Sequence, residues 1–89
     1  TFRFFSAADS SLAAPDLIVD FDPDRDVIDL RALDVDYVGR GPLAGDAAVR
    51  WDHANGMTRV LVDVDGDRLP DMLIRLSGRL QLDADSFLL

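Results

Sequence analysis

Along most of this chain apolar and polar positions alternate with the period of two that marks strands, and no stretch keeps the longer period of a helix. Phe2 and Phe4 flank Arg3 as a first short strand. Ser6 to Pro15 is small and polar and reads as a loop. Asp16-Leu17-Ile18-Val19-Asp20-Phe21 is a second strand, and Asp22-Pro23-Asp24-Arg25-Asp26 a turn, since Pro and Asp both favour turns. Val27-Ile28-Asp29-Leu30 is a third apolar run, and Asp29 could cap one helical turn through Arg31-Ala32-Leu33. Tyr37 to Asp46, with Gly39, Gly41, Pro42 and Gly45, reads as loop.

The best-specified element follows. Asn55-Gly56 is a strong hairpin signal of the type I′ turn. A two-residue loop there sets Ala54 opposite Met57, His53 opposite Thr58, Asp52 opposite Arg59, Trp51 opposite Val60 and Val49 opposite Val62. This register joins opposite charges and apolar partners across the strands, both of which favour it. Trp51 is expected in the core, and His53 is expected as an exposed residue flanking the turn. Met72, Ile74 and Leu76 alternate with Leu73, Arg75 and Ser77 as a further strand, Ser77-Gly78 turns, and Leu80 and Leu82 alternate again towards the end. The expected fold class is mainly β: short antiparallel strands forming a small β-sandwich or β-roll cap, with at most one or two helical turns.

Between the hairpin and the next strand lies the densest chemistry, Asp63-Val64-Asp65-Gly66-Asp67, followed by Asp71. Short carboxylates at alternating positions repel one another unless a hard cation sits among them. Calcium takes about 6–8 oxygen ligands, and loop positions 1, 3, 5, 7 and 9 of a D-x-D-x-D loop supply them. Counting from Asp63, these are Asp63, Asp65, Asp67, the Leu69 carbonyl and Asp71. Position 12 is Ile74 instead of Glu, position 6 is Arg68 instead of Gly, and strand follows instead of helix, so the loop is not an EF-hand. It reads as a strand–loop–strand calcium site; the plain alternative is a solvated acidic turn. A second acidic set, Asp16, Asp20, Asp22, Asp24 and Asp26 with Asp29, fits turn and cap chemistry equally well as calcium ligation. An apolar strand before Asp-x-Asp-Gly also resembles the first motif of haloacid-dehalogenase-type phosphotransferases. That chemistry needs a Lys, and none is present.

Composition narrows this further. Eighty-nine residues, expected as one domain over 1–89, bury a limited core, and with no Cys a disulfide cannot staple it. All 17 acidic residues are Asp and all 9 basic residues are Arg, giving a net charge of −8. That balance disfavours nucleic acid and anionic membrane as partners and favours divalent cations. The 48% hydrophobic content is too high for a disordered acidic tail. No apolar run approaches the roughly 20 residues of a membrane span, and no signal peptide is visible. Opening on Thr1, the chain is expected to be a piece of something longer. No His/Cys zinc cluster, H-E-x-x-H motif or Gly-rich phosphate loop occurs, and no catalytic residue is expected.

The order of segments is itself distinctive. Phe2-Arg3-Phe4 leads to Asp16-Leu17-Ile18-Val19-Asp20-Phe21, then to Asp26-Val27-Ile28-Asp29-Leu30-Arg31-Ala32-Leu33-Asp34, the Asp loop, and the close Asp85-Ser86-Phe87-Leu88-Leu89. Over nearly its whole length the chain resembles the C-terminal domain of serralysin-like RTX proteins. The resemblance implies a non-catalytic, calcium-responsive domain that caps upstream glycine-rich repeats. It also implies an uncleaved signal within residues 80–89, with Asp85, Ser86, Phe87, Leu88 and Leu89 at its end. That signal would be read by a type I ABC-transporter complex, and the protein would be extracellular in a Gram-negative bacterium. The G-G-x-G-x-D repeats themselves are absent from this chain. The competing reading from a different class is a stand-alone module that binds a protein or glycan through its sheet.

Overall fold

The structure, a computed structural model, describes residues 2–4, 10, 12, 15–41, 43 and 45–89. Its strands are β1 (Phe2–Arg3), β2 (Asp16–Ile18), β3 (Ile28–Asp29), β4 (Asp36–Gly39), β5 (Ala48–Ala54), β6 (Met57–Asp63), β7 (Met72–Leu76) and β8 (Phe87–Leu88), with two 3-10 turns at Arg31–Leu33 and Ala84–Ser86. The mainly β expectation holds. The loop expected over Ser6 to Pro15 falls largely outside the described residues.

Two sheets form. One has the order β1-β3-β8, and the other β2-β7-β6-β5-β4. The hairpin β5–β6 has the register anticipated from Asn55-Gly56, with Ala54 opposite Met57 and Asp52 opposite Arg59. Asn55 and Gly56 both have positive φ, as the turn requires. The antiparallel pairing that was expected throughout is confined to β5–β6–β7. The β1–β3, β3–β8, β2–β7 and β4–β5 pairings are parallel. Parallel partners need long connections, so neither local turn residues nor alternation announces them. The Tyr37–Asp46 segment also departs from its loop reading: Asp36 to Gly39 pair with Ala48 to Arg50 as β4, across a register shift between Tyr37 and Gly39.

A single apolar cluster draws on both sheets. Ile28, Leu30 and Phe87 enter it from one side; Val49, Trp51, Val60, Val62, Met72, Ile74 and Leu76 enter from the other. These residues fall on alternate positions of their strands, as a half-buried sheet requires. Three polar features brace the larger sheet. The Trp51 Nε1–H donates to the Tyr37 hydroxyl at 3.1 Å, and the Tyr37 ring lies 5.6 Å from that of Phe87. Buried Thr58 donates through Oγ1 to the Gly78 carbonyl and accepts from the Leu80 N–H. His53, expected to be exposed, is partly buried. Its Nε2 lies 2.7 Å from the Leu80 carbonyl and its ring 5.5 Å from Trp51, because the segment after Gly78 folds back over β5 and β6.

Asp29 is the buried charge of the smaller sheet. One oxygen accepts from the N–H and Nε of Arg31; the other accepts from Arg3 Nε and Arg31 Nη2, at 2.9–3.1 Å. The Arg31 guanidinium first, and its backbone N–H next, hold the Asp29 carboxyl well below the usual carboxylate range, against the opposing effect of burial. Asp29 is not the N-cap of the 3-10 turn, which is Leu30 without a side-chain cap bond; it accepts the Arg31 N–H from one residue earlier.

Candidate metal centre

β6 ends at Asp63 and β7 starts at Met72, and the turn between them gathers the acidic side chains. The Asp71 N–H donates to the Val62 carbonyl at 2.7 Å and closes the stem. Asp63 is fully buried and organises the loop from within. Its Oδ1 accepts N–H bonds from Asp65 and Gly66, and its Oδ2 accepts one from Arg68 at 2.9 Å. Burial pushes the Asp63 carboxyl up, but the N–H groups of Arg68 and Gly66 outweigh it and leave its pKa below the usual value. Around it the other carboxylates each accept one loop N–H: Asp65 from Asp67, Asp67 from Leu69, and Asp71 from Val64. Such side-chain-to-backbone bonds are the Asx turns that short carboxylates form readily.

The result is a group of four. One carboxylate oxygen each of Asp63, Asp65, Asp67 and Asp71 lies within 4.8 Å of the others. Calcium holds oxygens at about 2.3–2.6 Å, so ligands on opposite sides of one ion stand roughly 4.6–5.2 Å apart. Crowding has an electrostatic signature. Desolvation first, and then the neighbouring carboxyls of Asp67 and Asp63, push Asp65 up to about 6. A hard cation at this spot would remove that repulsion. Of the sequence-derived ligands, Leu69 is placed on the exposed side of the loop, at 65% exposure, with its N–H spent on Asp67.

Arg68 occupies the position where a glycine would make the sharp turn. It adopts the left-handed conformation itself, with φ of 71°, and so keeps its N–H on Asp63. Gly66, at φ 75°, faces the backbone of a second loop, and a Cβ placed there would stand 2.8 Å from the Gly45 carbonyl oxygen. The phosphotransferase reading fares poorly by contrast. Asp63, its nucleophile, is buried with both oxygens engaged by backbone N–H groups.

The second acidic set is arranged differently. Among the described residues the Asp63–Asp71 group is the acidic cluster whose oxygens converge. The Asp22 N–H donates to Asp26 and the Asp24 N–H to Asp22, while Arg25 lies 3.8 Å from Asp22, so this segment is a self-bonded turn. Exposed Asp20 adjoins it, and the exposed Asp16 of β2 gives its N–H to Ser10 Oγ.

At the other end, Asp85 is exposed. Buried Ser86 completes a capping box with Asp83. Phe87 is 4% exposed and pairs with Ile28 in β8; Leu88 accepts the Leu30 N–H, and Leu89 is exposed. What sequence reasoning missed is the inward role of Asp29 and the arginines that flank the loop. Their positions depend on partners far away in sequence, and only the Asp52–Arg59 pair had a local signal.

Comparison with known proteins adds three findings. The family model described as Peptidase M10 serralysin C terminal matches residues 1–88. Serralysin C of Dickeya chrysanthemi is 30% identical over 96% of this chain and 19% of its own length. Metalloprotease AprA of Pseudomonas entomophila is 33% identical over 89% of this chain and 18% of its own length. The chain thus spans about a fifth of the relatives it matches.

Proposed function

The chain belongs to the Peptidase M10 serralysin C terminal family, and from that premise we propose that it is a non-catalytic, calcium-responsive end domain of a longer secreted protein. In this role it closes off a stack of parallel strands supplied by upstream glycine-rich repeats. The observation that carries the proposal is the state of the two N-terminal edges. β1 and β2 each form one edge of their sheet, and each runs parallel to its neighbour. The Phe2 ring lies 5.8 Å from that of Phe21, just beyond β2, so the two edges adjoin. A parallel coil that visits the sheets alternately can continue onto both edges at once. The far edges are β8 and β4, and in the larger sheet the antiparallel β7–β6–β5 run separates β2 from β4.

Calcium binds the Asp63, Asp65, Asp67 and Asp71 oxygens, with the Leu69 carbonyl, in this proposal. Sites of extracellular type hold calcium with Kd of about 10⁻⁴–10⁻³ M. At ~10 mM calcium, ligand linkage then adds about 1.4–2.7 kcal/mol of stability. A thermal melt with calcium and with a chelator should show that shift, and Asp65→Ala should abolish it. A melt indifferent to calcium rejects the site.

Residues 80–89 carry the export signal for a type I ABC transporter. Asp85 to Leu88 lie within a 3-10 turn and β8, with Phe87 in the core and Leu89 exposed just after. A signal built into the fold is readable only before folding, and scarce cytosolic calcium favours that state. A passenger fused to the chain should be exported, and should remain inside when residues 80–89 are removed. Export that survives the removal rejects the signal.

A further inference from the structure

On the larger sheet, away from the core, Arg50, Leu61 and Leu73 form one cross-strand row, and Asp52, Arg59, Arg75 and Leu17 the next. Arg59 and Arg75 are directly opposed, an arrangement that like charges disfavour. Arg75 Nε is buried without a hydrogen-bond partner. Beside these rows a cleft of about 610 Å³ is lined by Arg40, Arg50, Arg59 and Arg68, with Leu61 and Pro70 among its apolar walls. Among the described residues, Asp52 is the carboxylate that pairs there, with Arg59 through two bonds of 2.7 and 2.8 Å and with Arg50 at 3.2 Å. Arg40, Arg68 and Arg75 form no ion pair among the described residues. Four of nine arginines thus line one cleft, Arg40 with its guanidinium 5.3 Å from the Trp51 ring, in a chain whose net charge is −8.

We propose that this arginine-lined cleft is a binding site for an acidic peptide segment, one whose carboxylates alternate with apolar side chains. Guanidinium groups bind carboxylates through paired N–H bonds, and charge complementarity selects the partner. The volume falls in the range of ligand sites and exceeds what a lone oxyanion fills. Leu61 and Pro70 offer apolar contact that a bare phosphate cannot use. The surrounding negative charge opposes the approach of a nucleic acid or an anionic bilayer, whose charge extends far beyond the cleft. A short peptide places its charge within the cationic patch alone. The site lies on the outer sheet face, distinct from the carboxylate cluster, although Arg68 and Pro70 belong to the same turn as that cluster.

The test titrates an acetylated, amidated hexapeptide alternating Asp and Leu into the isotope-labelled chain in saturating calcium, following the arginine Nε–H resonances. Shifts at Arg50 and Arg59 with a Kd of about 1 mM or tighter are expected. Arg40→Gln with Arg68→Gln should weaken binding by about tenfold or more, while Arg79→Gln, outside the cleft, should leave it unchanged. Equal binding of the Asn–Leu peptide overturns the proposal, and that comparison decides on the unaltered chain even where the double variant fails to fold. The proposal also fails if the peptide causes no shift, if inorganic phosphate binds as tightly as the peptide, or if phosphatidylserine vesicles bind in preference to it.

Discussion

Arg68 shows how one residue can hold a shape that its side chain resists. With φ of 71° it occupies the conformation that glycine adopts freely, and an L-residue there costs about 1–2 kcal/mol. The strain is offset locally, because that geometry aims its N–H at buried Asp63. Arg68→Gly should therefore raise stability by about 1 kcal/mol in chemical denaturation without calcium. Gly66→Ala should do the reverse. It adds both a disfavoured φ and a Cβ 2.8 Å from the Gly45 oxygen, and should lower stability by roughly 1–3 kcal/mol. Asp29 sets a pH dependence of its own. Its carboxyl titrates lower in the folded chain than in the unfolded chain, because Arg31 and Arg3 favour its charged form. Its stabilisation is thus complete above the ordinary carboxylate pKa of about 4 and fades as pH falls below that. Denaturation midpoints between neutral and strongly acid pH should drop on the acid side. Asp29→Asn should lower the neutral value and flatten the drop.

Among the elements, the hairpin was legible residue by residue. Asn55-Gly56 fixes the turn, alternation fixes the faces, and Asp52 opposite Arg59 confirms the register. The convergence of Asp63, Asp65, Asp67 and Asp71 was legible too, since one short turn holds all four. Other features had no local signal. β4 is dominated by its pairing to β5, which overrides the glycines around Tyr37 to Asp46. β8 looks like any acidic–apolar tail, yet it completes a sheet whose other members lie some sixty residues or more before it. His53 was misjudged because the strand that carries it says nothing of the segment returning from Gly78. The weight that β8 carries can be measured. Phe87 is buried against Tyr37 and pairs with Ile28, so Phe87→Ala should cost about 3–5 kcal/mol in a denaturant titration. Loss on that scale approaches the whole stability of a small domain.

At the scale of the whole molecule, two concentrations of charge stand out among the 17 Asp and 9 Arg. Carboxylates crowd the β6–β7 turn, and guanidinium groups crowd the neighbouring sheet face. The molecule thus presents both signs side by side while its total stays at −8. The chain belongs to the Peptidase M10 serralysin C terminal family and spans about a fifth of the length of the relatives it matches. Among the described residues no helix is long and apolar enough to cross a membrane.

The edge strand β2 also bears on how the 89-residue chain behaves in a tube. Among the described residues its outer side faces no other strand, so its N–H and C=O groups can be completed by one, and Leu17 and Val19 are exposed there. Copies can therefore stack edge to edge, held apart chiefly by their like charge. Salt weakens that barrier, since screening shortens the reach of charge to about 10 Å at 0.1 M. Added sodium chloride should drive reversible association, visible as a rising scattering mass, where electrostatic dimers would instead dissociate. Handling the chain dilute and at low ionic strength should keep it monomeric.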